Sequence, residues 1–260
     1  MNKKNVILIP LYRINSISTE SFEKYRELVV INTNNIRKLK INASIYVIDK
    51  CVDTLRDMWV DVLSEIMEMC ENNINVLYME ADTLLFRECN EIFTFDKVLC
   101  FGLGYWSMSF KKKKEFNFYE YFNSGLVYFP SKCDFSSILG LYNNWPEEGD
   151  LNKLKFLFPQ YNFAFGKRSL DYSGTFWEYI CNTLYYNQFS NKQEGINYIA
   201  ENFGIWKYNY RGCLYKKYKN KIALPKNNVI HHAHFLIQSS SKDKNLRFNE
   251  ILKIFKKINL

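Results

Sequence analysis

The stretch Asn75-Val76-Leu77-Tyr78-Met79-Glu80-Ala81-Asp82-Thr83-Leu84-Leu85-Phe86 decides how this chain is read. Its opening five residues form a short, mostly apolar run, the pattern of a strand buried on both faces. The run leads straight into two carboxylates, and apolar residues resume immediately behind them. Acids rarely interrupt an apolar stretch without a partner, because an unpaired charge away from water is costly. On an extended backbone the side chains of Glu80 and Asp82 point one way and Ala81 points the other. Two like charges held together repel unless a cation or proton lies between them. A divalent ion that favours oxygen ligands, Mn²⁺ or Mg²⁺, resolves that repulsion. An isolated Glu-x-Asp is more often an acidic turn facing water; here the apolar flanks shift the balance toward a site.

Outward from this stretch, strands and helices alternate. Val6 to Ile9 reads as a first buried strand closed by Pro10, and Ser44 to Ile48 as a second, ending at Asp49. Ser21 to Lys40 has helical spacing through Phe22, Tyr25, Leu28, Val29 and Ile36. Asp53 to Cys70 is a stronger helix, with Leu55, Trp59, Val62, Leu63, Ile66 and Met67 on one face and Asp53 as its expected N-cap. Further strands are expected over Lys97 to Phe101, over Gly125 to Phe129 before Pro130, and at Val229-Ile230. A helix is expected over Tyr172 to Phe189, and loop with some helix over Asn143 to Lys167. This order predicts an α/β fold with a mostly parallel central sheet and helices on both faces. Ligands in such sheets sit at the carboxyl ends of the strands, where Glu80 and Asp82 fall. Residues 1–260 are expected to form one domain, with an amphipathic helix over 244–258 docked on it.

Composition narrows the class. With 47% hydrophobic residues the chain can bury a sizeable core, so disorder is excluded. Thirty-five Lys and Arg against 27 Asp and Glu leave a net charge of +8, a mild attraction for anions such as nucleotides. The run Lys111 to Lys114 reads as a solvated loop. No helix-turn-helix, RNA-recognition or zinc-finger signature accompanies the charge, so nucleic acid is not expected as a partner. The seven cysteines are scattered without a Cys-x-x-Cys, which points to reduced thiols and a cytoplasmic location. No apolar stretch reaches the ~20 residues that span a bilayer.

The three histidines all fall at His231, His232 and His234. Adjacent strand residues point to opposite faces, so His232 and His234 share one. An imidazole reaching the carboxylates from a neighbouring strand end would favour Mn²⁺ over Mg²⁺.

Three segments, in order, carry a resemblance. Asn75 to Phe86 resembles the strand and Asp-x-Asp metal-binding segment of GT-A fold glycosyltransferases, with Glu80 in place of the first Asp. Phe122-Asn123-Ser124-Gly125-Leu126-Val127-Tyr128-Phe129 resembles the Phe-Asn-Ser/Thr-Gly segment of the glycogenin-like (family 8-like) group. Val229 to Ile237 is similar to the C-terminal strand whose histidine completes the metal site; His232-Ala233-His234-Phe235 stands where one version reads His-Ala-Asn-Trp, and Lys242 lies at the offset of that version's lysine.

The resemblance implies a nucleotide-diphosphosugar (Rossmann-like) transferase fold and a metal-dependent hexosyltransferase. The implied donor is a nucleotide-sugar, with UDP favoured, and the implied acceptor a hydroxyl of a glycan, a protein or another molecule, with retention of configuration. Glu80, Asp82, His232 and His234 are the implied metal ligands, His231 remaining an alternative. Leu11, Tyr12 and Arg13 are expected in a loop after the first strand that holds the nucleotide, with the Tyr12 ring against the base. Ala81 would let the ribose approach the backbone, Asn123, Ser124 and Gly125 would meet donor sugar or acceptor, and Lys242 the diphosphate. Asp171 is the candidate catalytic carboxylate and Asp150 a weaker one. The competing reading is a catalytically inactive glycan- or nucleotide-binding module on the same fold.

Overall fold

The computed structural model describes residues 4–85, 87–103, 122–139, 174–191, 194–195, 197–198, 209–211 and 230–232. Within these, β1 (Lys4–Ile14), α1 (Thr19–Lys38), β2 (Ser44–Val52), α2 (Leu55–Glu71) and β3 (Ile74–Met79) follow one another. Next come β4 (Thr83–Leu85), a 3-10 turn (Asn90–Thr94), β5 (Leu99–Leu103), β6 (Phe122–Phe129), α3 (Gly174–Tyr186), β7 (Asn209–Arg211) and β8 (Ile230–His232). Five strands make one sheet in the order β2-β1-β3-β6-β5, and β4-β8-β7 make a second, small one.

β1 pairs in parallel with β2 and with β3, β6 runs against β3, and β5 runs against β6. Four of the five strands therefore share a direction, and the mostly parallel α/β sheet that the alternation predicts is observed. β2 and β3 lie on opposite sides of β1. Right-handed crossovers then place α1 on one face and α2 on the other. α3 joins α2 on its face, while α1 packs against β1 and β4.

The core is β3 and its neighbours. Val76 to Met79 are fully buried, as are Ile7 to Ile9 of β1 and Val62, Leu63 and Ile66 of α2. An aromatic stack closes the α2 face. Trp59 and Trp177 lie parallel with centroids 5.2 Å apart, and the Tyr78 ring meets Trp177 edge-on at 4.8 Å. Offset and edge-on aromatic pairs of this kind add about 0.5–1.5 kcal/mol each beyond their burial.

Several local expectations are corrected. Pro10 does not close β1, which continues to Ile14 paired with β2. The last β1–β3 pair is Leu8 with Tyr78. Beyond it β1 has a strand on one side only, the setting in which a strand tolerates proline. β2 likewise runs past Asp49 to Val52, because β1 continues alongside it. Asp53 is not the N-cap of α2. Thr54 is, in a reciprocal capping box with Asp57, while Asp53 accepts a hydrogen bond from Asn15 at 2.8 Å. α1 begins at Thr19, capped by the Ser18 hydroxyl, two residues earlier than the spacing predicts. The stretch 143–167 and the helix expected over 244–258 lie outside the described residues. Among the described residues no helix is long and apolar enough to cross a membrane.

Thr54→Ala removes the side-chain half of the box and is expected to lower unfolding free energy by about 1 kcal/mol. Urea denaturation checks this; an unchanged midpoint would place the start of α2 elsewhere.

Candidate functional site

The two carboxylates sit where β3 ends. The backbone is not extended through them, which corrects the strand conformation expected there. The Thr83 N–H donates to the Glu80 carbonyl at 2.9 Å and closes a tight turn over 80–83. The reason lies in β6. Its Gly125 carbonyl accepts the Glu80 N–H at 2.9 Å and the Thr83 hydroxyl at 3.1 Å, so one oxygen ties both ends of the turn to the neighbouring strand. Ala81 and Asp82 are buried on the turn, Asp82 only 7% exposed, and Glu80 is more open.

The charge of this turn reaches tyrosines on separate elements. Burial pushes the Tyr25 hydroxyl of α1 well above its ordinary range, with Asp82 and then Glu80 adding to the rise. The Tyr78 hydroxyl of β3 is raised the same way, by burial first, then Glu80, with smaller contributions from Cys181, Asp82 and Tyr12. The turn is thus an acidic focus at the carboxyl end of β3, with aromatic walls.

β4 leaves the turn and pairs antiparallel with β8: Thr83 with His232, Leu84 with His231, Leu85 with Ile230. β7 flanks β8 in parallel, Arg211 opposite His232. The backbone of His232 therefore lies across from Thr83, one residue from Asp82. The fold brings the histidine segment to the acidic turn from far along the chain. His231 and His232 are placed by backbone register alone, and Asn123 by its place in β6. His234, Lys242, Asp150 and Asp171 lie outside the described residues.

Leu11, Tyr12 and Arg13 are corrected from loop to strand, since all three pair with β2. Leu11 and Tyr12 are buried and Arg13 is exposed. The Tyr12 hydroxyl donates to Asp61 of α2. Lys50 of β2 joins the same carboxylate at 2.8 Å and Glu65 at 2.9 Å. Burial works to raise the Asp61 carboxyl, but the hydrogen bonds from Lys50 and Tyr12, with the Lys50 charge, hold it below the ordinary carboxylate range.

Some site-building residues carry no sequence signal. The Trp177 indole N–H donates to the Ser124 carbonyl at 3.3 Å, fixing α3 to the Asn-Ser-Gly segment. On α1, the Asn32 and Asn35 amides donate to the Thr83 and Leu85 carbonyls of β4, the latter at 2.7 Å. Both asparagines are buried among apolar neighbours. In a chain rich in asparagine, only their position on the inner face of α1 sets them apart.

The donor chemistry at the turn fits a divalent cation. Carboxylate oxygens are its preferred ligands, and Asp82 is buried on the turn. Among the described residues no three His, Cys, Asp or Glu side chains form a ligand group. The imidazoles that the sequence offers as further ligands fall outside the described side chains.

No protein-family model and no curated protein matches the sequence. Solved structures give a general likeness. A glycosyltransferase involved in glycosylation of the major capsid of PBCV-1 aligns at 10% identity and a TM-score of 0.40, over 96% of this chain and 99% of the other. The galactosyltransferase LgtC, in complex with donor and acceptor sugar analogs, aligns at 10% identity and 0.39, over 95% of each chain. The glycosyltransferase GlyE of Streptococcus pneumoniae TIGR4 aligns at 14% identity and 0.38, over 99% of this chain and 62% of its own. At these scores the likeness lends no weight to a function; the turn and the register must carry it.

The Asp61 network makes a pH prediction. A carboxyl whose folded pKa is depressed contributes stability that is present above its unfolded pKa and lost as pH falls through the folded one. The stability gap between the native chain and Asp61→Asn is therefore expected to be full at pH 6 and to close below about pH 4, the ordinary carboxylate value. Denaturant melts across pH 3–7 measure it, and a gap constant with pH would remove the ionic role.

Proposed function

We propose that this protein is a metal-dependent glycosyltransferase that moves a sugar from a nucleotide-sugar, a UDP-sugar by preference, to a hydroxyl acceptor on a glycan, a protein or another molecule. The single observation that carries this reading is the β4–β8 register, with the His232 backbone opposite Thr83 and beside the buried Asp82. Two carboxylates on a turn, met by a histidine segment from a distant strand, make a donor set that suits Mn²⁺.

Glu80, Asp82 and an imidazole, His232 first with His234 and His231 as alternatives, would hold the ion. When bound, it would supply a Lewis acid that neutralises charge growing on the leaving diphosphate. The chain's own residues do the rest. Arg13, exposed near the carboxyl end of β1, offers a fixed positive charge to the nucleotide phosphates. The small Ala81 leaves room beside the turn backbone for the ribose. Asn123, Ser124 and Gly125 run along the first residues of β6, the strand bonded to the turn, and would border the sugar. Lys242 would add positive charge at the diphosphate, and Asp171 would serve as the carboxylate facing the reacting sugar. The resemblance noted in the sequence points to retention of configuration.

Glu80, one methylene longer than the aspartate of the usual motif, favours one second reading: a nucleotide- or glycan-binding module that has lost turnover. A screen of UDP- and GDP-sugars with Mn²⁺, read as released nucleotide, separates the two. The native chain is expected to hydrolyse or transfer from one donor, and Asp82→Ala to lose about 100-fold or more of that rate. Equal turnover by Asp82→Ala would overturn the proposed site. Nucleotide binding without turnover on any donor would assign the module.

A further inference from the structure

We propose that Asn32 and Asn35 of α1 are positioning residues for the donor site, acting as a substitute strand along the edge of β4 that, among the described residues, has no strand beside it. The inference deepens the reading above and rests on it for its link to donor binding.

Carbonyls two residues apart on a strand point to the same edge. Thr83 and Leu85 are so spaced, and the Asn32 and Asn35 amides take their carbonyls. That edge faces α1, so the intervening Leu84 turns its backbone toward His231 of β8. β4 is only three residues long, and β8 is its sheet neighbour. Without the two amides this edge would hold two carbonyls packed under α1 with no hydrogen bond to accept from it.

The choice of residue supports a positioning role. Asn32 is fully buried and Asn35 is 2% exposed, between the apolar Leu28, Val29 and Ile36. An aliphatic side chain would fill either position at lower desolvation cost. The Asn32 Oδ1 even lies buried with no hydrogen-bond partner among the described residues. An amide is retained at that cost because its N–H is needed by β4. The two positions are three apart, on one face of the helix, and they meet carbonyls two apart on the strand. This matched spacing fixes where β4 lies along α1. It thereby sets how far the turn over Glu80–Thr83 projects and where β8 must register to place His232 beside Asp82.

The test compares Asn32→Leu and the milder Asn35→Ala with Val29→Ala. Val29 is buried in the core on the same helix, and its side chain has no hydrogen bond to give to β4. Two readouts apply: the Kd of UDP with Mn²⁺ by calorimetry, and amide hydrogen exchange over 83–85 and 230–232. The clamp predicts that the asparagine variants weaken UDP·Mn²⁺ binding by about 10–100-fold and speed exchange in both segments. Val29→Ala, at a comparable loss of Tm, should do neither. Asparagine variants that bind and exchange like Val29→Ala would overturn the proposal. If the native chain itself binds no UDP with Mn²⁺, the transferase reading fails separately. The exchange data then decide the clamp alone: faster exchange confined to the asparagine variants supports it, and no difference overturns it.

Discussion

One carbonyl oxygen holds the site together. Gly125 O receives both the Glu80 N–H and the Thr83 hydroxyl, and through them it fixes the turn that ends β3. The β3–β6 ladder brings this oxygen to its place, since Met79 pairs with Leu126 immediately before the turn. Antiparallel β6 is thus more than another strand of the sheet. Its reversed direction delivers its own amino end, which holds the Asn-Ser-Gly-Leu segment, to the carboxyl end of β3. A parallel strand in that position would bring its carboxyl end instead. Buried Asp82 follows from the same bond, because a turn pinned at both ends cannot swing its acid into water.

Behind the turn, the aromatic wall makes the placement rigid. Trp177 stacks on Trp59, meets Tyr78 at its edge and donates to Ser124 O. One side chain therefore links α3, α2, β3 and β6. α1 acts from the other face through its two amides. The acidic turn is fastened from three directions.

Much of the fold was legible in the sequence, and for clear reasons. The runs at 6–9 and 75–79 are apolar because both faces of a central strand are covered, and the apolar face of 55–67 is the side of α2 that lies on the sheet. The run at 44–48, expected to be a buried strand, is instead part of the edge strand β2, where Ile48 alone is buried and Tyr46 is exposed. What misled was local punctuation. Pro10 looked like a stop, yet a strand with one partner tolerates it. Asp53 looked like a cap, yet Thr54 with Asp57 makes the better reciprocal pair. The approach of the histidine segment to the acids was expected through motif order and is met at the level of backbone register. The extended backbone expected through Glu80 and Asp82 is replaced by a turn, because a residue distant in sequence, Gly125, holds the chain there. Tyr12 shows a similar limit: no local pattern reveals that its hydroxyl is committed to Asp61. The asparagine amides and the Trp177 bond were invisible, since each meets a main-chain carbonyl far away in the sequence.

The proposed function requires a cation shared between the acidic turn and an imidazole of the histidine segment. Crystals grown with Mn²⁺ and UDP, with anomalous diffraction recorded at the manganese edge, test that most directly. One strong manganese peak is expected within coordination distance of the Asp82 carboxylate and of one ring among His231, His232 and His234. A peak elsewhere, or nucleotide bound with those carboxylates and rings too far apart to share an ion, would contradict it.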